Sequence, residues 1–265
     1  MRPTDTIDKL TNTWESISAL CADLTEERWK TMTACPGWTV QDTLSHLIGV
    51  ERMMIGLPVT KHRAVQGSHV KNPIGEFNEH DVDVRRSLSG AEVLAEWNEL
   101  IENSRDFLED AGDEYFNRET MTPTGPGTMA DFLHIRVLDC WAHEQDMRRA
   151  LGKPGNEGSP AAEHTIDRLL RTIPIVVGKR AQTPEGRGVV IEIAGPVQRT
   201  VPVLVTNGRA AIVDQVADPI ATLKMDSNAF CALAMGRIDP LSAKVDIAGD
   251  QELGKAITTN LNMMI

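Results

Sequence analysis

Two stretches of the chain put groups that bind metals or move protons where a helix would be expected to carry core. The first, "ACPGWTVQDTLSHL" at residues 34–47, ends with His46 inside an apolar run. The second, "RVLDCWAHEQDMRRALG" at 136–152, carries Asp139 and His143. Residues at i and i+4 project from nearly the same side of a helix, so Asp139 and His143 offer a carboxylate and an imidazole to one point. Asp146 lies on the same stripe, seven residues after Asp139. His134, nine residues before His143, is turned roughly 180° away at about 100° per residue and cannot share that point. His46, on another helix, can supply a third group. Three nitrogen or oxygen ligands with one open position are what a catalytic Zn²⁺ or similar ion requires. The plainer alternative is a hydrogen-bonded His–Asp pair in a core, and spacing alone leaves both open.

Helices are expected to carry these residues. From Thr4 to Leu24, Ile7, Leu10, Trp14, Ile17, Leu20 and Leu24 recur at spacings of three and four, one amphipathic stripe. Thr39 is a candidate N-cap for the helix bearing His46, with Asp42 three residues on as a short-armed capping box. Val40, Leu44, Leu47, Ile48 and Met54 give that helix its core face. A third helix is expected from about Gly90 to Ala111. A fourth follows "TPTGPGTM" and runs to Leu151, stopped by Gly152 and Pro154. Four apolar stripes that each need a partner imply a helical bundle, an architecture that commonly holds metals in its core. Residues 57–88 form a long polar connection, long enough for a crossover, within which "GEFNEHDVDVRRSLS" can itself be helical. A fifth helix, capped by Ser159 with Pro160 in its first turn, is expected to reach about Lys179.

The period then changes. "GVVIEIAG", "TVPVLVTNGRAAIVDQV", "ATLKMD" and "AKVDIAG" alternate or run β-branched, and Asn207-Gly208 is a hairpin turn signal. "SNAFCALAMG" and "GDQELGKAITTNLNMM" return to helical spacing. The expected fold class is therefore α+β and multidomain: a helical domain over 1–180, a linker "RAQTPEGRG", and a small α+β domain over 186–265.

Bulk properties narrow the partners. The 265 residues are 41% hydrophobic and 25% charged, an ordinary globular composition. A formal charge of −11 with scattered Lys and Arg argues against a nucleic-acid partner. No run approaches the ~18 apolar residues of a membrane span, and the N-terminal "MRPTDTIDKL" has no signal-peptide core. The four cysteines, Cys21, Cys35, Cys140 and Cys231, are far apart, which suits a reducing compartment. A cytoplasmic location is expected. A homodimer is compatible with the sequence, which does not fix the oligomeric state.

The segments "CPGWTVQDTLSHLIGVERMM" and "RVLDCWAHEQDMRRALG" resemble the DinB-like superfamily, specifically the metal-binding domain of the mycothiol-dependent maleylpyruvate isomerase type. The tail "DPIATLKMDSNAFCALAMGRIDP…VDIAGDQELGKAI" looks like the sterol-carrier-like domain that accompanies it. The resemblance implies a DinB-like four-helix bundle whose metal is held by a histidine of the second helix and by Glu-x-x-x-His of the fourth. His46 and His143 match the histidines, and the carboxylate falls at Asp139, one methylene shorter than glutamate. It implies Zn²⁺ or a similar divalent metal and mycothiol as thiol co-substrate. A metal-activated thiolate would then attack a small electrophile, for S-transfer or for addition that permits isomerisation.

Other residues are secondary candidates. Arg85 or Arg86 can hold a carboxylate of thiol or substrate bidentately, and Arg237 in "MGRID" is placed to reach a domain interface; a solvated arginine is the bland alternative for each. Cys140 points about 100° from Asp139 and is expected to be a core thiol. Glu144 lies off the ligand stripe, as an orienting group or a solvated one. Trp38 and Trp141 are expected in the core, and His62, His69 and His80 carry no ligand-like spacing. Against the metal- and thiol-dependent transferase or isomerase stand two other functions: an apolar-ligand carrier, and an interaction protein that keeps the fold without the metal.

Overall fold

The computed structural model describes residues 1–263. The chain divides into two compact units, Met1–Asn156 and Glu157–Ile265. The first is built on helices α1 (Thr4–Cys21), α2 (Glu26–Trp29), α3 (Val40–Met54), α4 (Pro73–Asp83), α5 (Gly90–Asp110) and α6 (Asp113–Asn117). A short hairpin of β1 (Glu119–Thr122) and β2 (Gly125–Thr128) then leads into α7 (Met129–Leu151). Helices α1, α3, α5 and α7 form the bundle, α1 and α3 each packing on both α5 and α7. The starts of three of these helices are fixed by reciprocal caps: Thr39 with Asp42, Ser89 with Glu92, and Thr128 with Asp131. Gly152 closes α7 in the left-handed conformation, φ +62°.

The stripe on α1 packs as its spacing requires, with Ile7, Leu10, Trp14, Ile17 and Leu20 all buried. Helices α3 and α7 differ, because both are covered on nearly every side. Their buried faces therefore include His46, Glu51, Arg136, His143, Glu144 and Asp146. Polar groups removed from water must find partners within the protein, and most of these find one another.

The second unit opens with α8 (Pro160–Leu170) and a π-helical turn at Ile175–Arg180. It continues through β3 (Gly188–Ala194), β4 (Arg199–Thr206), β5 (Arg209–Ile212), β6 (Ala221–Asp226), α9 (Ser227–Ala234), β7 (Asp246–Gly249) and α10 (Gln251–Thr259). The five strands form one sheet in the order β5-β4-β3-β6-β7, with β3 and β6 parallel and the other pairs antiparallel. Asn207 and Gly208, both at positive φ, make the β4–β5 hairpin turn.

Two boundaries differ from the expected ones. The helix that starts after Ser159 stops at Leu170 rather than near Lys179, and Pro174 precedes the π-helical segment. The first unit ends at Asn156 rather than at 180. Helix α8 packs on α9, and Arg199 of β4 forks onto Asp167 of α8 at 2.7 and 3.0 Å, so α8 belongs with the sheet. No helix among the described residues is long and apolar enough to cross a membrane.

Candidate metal centre

Helices α3 and α7 pack against each other, and their polar positions meet. His46 Nε2 lies 3.5 Å from Asp139 Oδ2, and His143 Nε2 lies 3.4 Å from Asp139 Oδ1. The two imidazole rings stand edge to face with centroids 4.8 Å apart. One ligand atom from each of His46, Asp139 and His143 falls within 4.8 Å of the others. The three residues singled out by spacing therefore converge. His46 and His143 are almost fully buried, whereas the Asp139 side chain keeps 23% of its surface exposed, so solvent reaches the cluster from the Asp139 side.

The loop before α3 supplies a wall. In "CPGW" the Trp38 N–H donates to the Cys35 carbonyl at 3.1 Å, with Pro36 and Gly37 between them and Gly37 at φ +78°. Proline followed by a glycine at positive φ is the signature of a type II turn. That turn brings Cys35 and Trp38 to the same cluster. The Trp38 ring lies 5.1 Å from the His46 ring and 6.0 Å from the His143 ring. Its indole N–H donates to Glu79 Oε2 at 3.0 Å, and His69 Nε2 lies 3.1 Å from the same oxygen. The crossover, through α4 and His69, thus fixes Trp38.

Charge is distributed unevenly. Arg136, 1% exposed, bonds Asp139 Oδ2 closely and lies 3.4 Å from Glu51 Oε2. Burial works against charge on Asp139, but the neighbouring His46 and Arg136 and the imidazole hydrogen bonds outweigh it and hold the carboxyl well below its usual range. Burial pushes His46 down, with Asp139 opposing. Burial would lower His143 too, yet its bonds to Asp139, Asp146 and Cys35 raise it well above an ordinary histidine. Burial raises Glu51 despite Arg136. The Cys140 thiol is buried and pushed up to about 12, mainly by desolvation, a core thiol as its direction on the helix required.

The secondary candidates fare differently. Arg85 is buried at the end of α4, where Nε and Nη2 fork onto Glu96 at 2.8 and 2.7 Å and Nη1 bonds the Asp81 carbonyl at 2.7 Å. Its guanidinium clamps α4 to α5 instead of waiting for a substrate carboxylate. Arg86 is likewise engaged, with Asp42 at 3.0 Å and Glu79 at 2.8 Å. Arg237 lies in the second unit and donates to the Met235 carbonyl at 2.9 Å. Glu144 is fully buried, bonded by Ser16, Arg148 and Asn156. Of the residues that spacing passed over, Arg136 had a signal, three before Asp139 on the same helix. Cys35 and Glu79 had none, since a turn and a crossover bring them in.

Residues 10–148 match the family model of the mycothiol maleylpyruvate isomerase N-terminal domain. An uncharacterised protein recorded from two strains of Mycobacterium tuberculosis is 25% identical over 187 residues, covering 69% of this chain and 70% of the relative. Among solved structures, the crystal structure of mycothiol-dependent maleylpyruvate isomerase has a TM-score of 0.61 at 14% identity, covering 92% of each chain. A mutant of that enzyme gives 0.58 at 13% identity over the same share. At such identity these structures speak for the fold, whereas the family model spans more than half of the sequence and contains His46, Asp139 and His143. The chain belongs to the family of the mycothiol maleylpyruvate isomerase N-terminal domain.

Proposed function

We propose that this chain is a metal- and thiol-dependent enzyme, an S-transferase or isomerase that uses mycothiol and acts on a small electrophile. The observation that carries the reading is the convergence of His46, Asp139 and His143 in one partly open cluster. Metal–nitrogen and metal–oxygen bonds of about 2.0–2.1 Å in tetrahedral geometry put neighbouring ligand atoms about 3.3 Å apart. The His–Asp separations, 3.5 Å to Oδ2 and 3.4 Å to Oδ1, are of that order with each histidine facing its own carboxylate oxygen, which supports a ligand role for Asp139 despite its shorter arm. Two imidazoles and a carboxylate suit Zn²⁺ among the common ions. When bound, the ion supplies a Lewis acid that lowers the pKa of a thiol in its open position.

The chain's own residues set the conditions for that chemistry. His46 Nε2 faces the Asp139 carboxylate, and burial disfavours the charged form of this ring. Asp139 carries the negative charge, and Arg136 compensates Glu51 behind it. Trp38 lies against both rings and walls that side of the cluster. The family match favours mycothiol as the thiol and an isomerisation as the reaction.

A second reading, a metal-free member serving as an interaction protein, is favoured by one observation. Arg136 already bonds Asp139, and both imidazoles face the same carboxylate, so the cluster is satisfied in its charges without an ion. A recess of about 280 Å³ in the second unit is lined mainly by polar side chains, Glu192, Gln198, Arg199, Thr200 and Lys224 among them, and does not suit an apolar ligand. The test is metal content of the full chain, purified without affinity-tag metal and dialysed after incubation with Zn²⁺, Ni²⁺ or Mn²⁺. Mycothiol-dependent turnover is then measured with maleylpyruvate as the first substrate. One equivalent of metal and turnover, both abolished in His143→Ala, bear the enzyme out. A wild type that stays metal-free leaves the interaction protein.

A further inference from the structure

The two imidazoles of the cluster are held very differently. His46 Nδ1 is buried and has no hydrogen-bond partner among the described residues. His143 Nδ1 faces a built arrangement: Asp146 Oδ2 at 3.2 Å and Cys35 Sγ at 3.8 Å, with the Cys35 thiol donating to the same Asp146 oxygen at 3.1 Å. Asp146, fully buried, has its other oxygen bonded by Arg149 Nη2 at 2.6 Å. The carboxylate thus takes at least three donors, from α7 itself and from the turn before α3.

We infer that Asp146, braced by Cys35 and Arg149, is the positioning residue of the centre: it fixes the His143 ring so that Nε2 faces His46 and Asp139. This rests on the metal-centre reading above. A histidine that donates its second ring nitrogen to a carboxylate has one orientation and one tautomer available for a metal, and is the more basic ligand for it. His143 meets that condition through Asp146, and His46 does not. His143 is therefore the anchor of the site, and His46 the ligand that adjusts. Cys35 acts on the oxygen that receives the ring, not on the ion. Its link explains why a turn outside both helices bears on the centre: "CPGW" delivers Trp38 to one face of the rings and the Cys35 thiol to the back of one ring.

The test uses the full chain with ¹⁵N-labelled histidine, first metal-free and then titrated with Co²⁺, the His143 signals being assigned by their loss in His143→Gln. In the metal-free wild type the His143 Nδ1–H should exchange slowly with solvent. Asp146→Asn keeps the shape of the side chain, and should speed that exchange and weaken Co²⁺ binding by roughly ten- to hundred-fold. Asp146→Ala should do at least as much. Cys35→Ser, which retains a donor, should bind Co²⁺ within about two-fold of wild type, and Cys35→Ala should fall between wild type and Asp146→Asn on the same outer-partner scale. Unchanged Co²⁺ affinity in both Asp146 variants overturns the inference. So does a sulfur-to-cobalt charge-transfer band that vanishes in Cys35→Ser, because Cys35 would then be a ligand. If the wild type takes up no Co²⁺ while Asp146→Asn still speeds the Nδ1–H exchange, the metal-centre reading fails and the positioning of the ring stands.

Discussion

Between Glu51 and Asp139 lies a guanidinium that is 1% exposed, paired with one carboxylate from each of the two helices that carry the cluster. Removing one member of a buried charge network strands the others, at about 3–5 kcal/mol, whereas replacing a whole pair by apolar groups is often neutral. Arg136→Met should therefore lower the unfolding free energy by about 3–5 kcal/mol, read from urea titration, and the double variant Arg136→Met, Glu51→Met should recover a large part of it. If the single variant is as stable as wild type, the pairing contributes little and the charge account of Asp139 is wrong. At this scale the sequence was informative where groups share a helix. The i,i+4 relation placed Asp139 and His143 together, and the apolar frame of His46 marked it as an inward group. It misled at Arg85, whose spacing looks the same whether the guanidinium faces substrate or, as here, Glu96 of another helix. It was silent on Cys35, because nothing in a tetrapeptide turn states which helix it will face.

Helix ends were the most legible elements, since Thr39 and Ser159 at two starts and the glycine after Leu151 at one stop act locally and each is used as a cap. The crossover was legible only as a length. Its work depends on His69, whose ring occupies the space a Cβ on Gly37 would need, 2.7 Å away. Gly37→Ala thus meets both a positive φ of +78° and a packed ring. The backbone strain alone should cost about 1–2 kcal/mol, and the turn that carries Cys35 and Trp38 should shift, seen as a change in tryptophan emission. A variant with unchanged emission and stability would show that the turn is not held as described. The same segment has a pH signature. Burial would raise Glu79, but bonds from Trp38, His69 and Arg86 bring it below the ordinary carboxylate value. A depressed carboxylate contributes stability that is present above its unfolded value and is lost as pH falls through the folded one. Wild type should therefore exceed Glu79→Gln in melting temperature at neutral pH, and the gap should narrow only as the pH falls below the unfolded glutamate value of about 4.3 and through the lower folded one. A gap independent of pH would assign the difference to shape and not to charge.

For the whole molecule, the change from helical to strand period located the two architectures but not the seam between them. An amphipathic helix announces that it has a partner, not which one, and α8 shows the consequence. Ile166, Leu169 and Leu170 form its buried stripe, and the helix lies in the unit of the sheet, with Glu163 and Asp167 both paired to Arg199. A fragment of residues 1–156 ends where the first unit ends, with Trp141 Nε1 bonded to the Asn156 carbonyl at 2.9 Å and Asn156 Nδ2 to Glu144 at 2.7 Å. It should unfold cooperatively and bind Co²⁺ with the affinity of the full chain. A fragment of residues 1–179 carries α8 without the surface it packs on. Three aliphatic side chains, each worth about 1.5–3 kcal/mol when fully buried, would then be left to find cover. That fragment should self-associate in light scattering, and Ile166→Lys should suppress the association. The opposite result, a soluble monomer for 1–179 and an unfolded 1–156, would mean that α8 completes the bundle and that the seam lies at the linker after all.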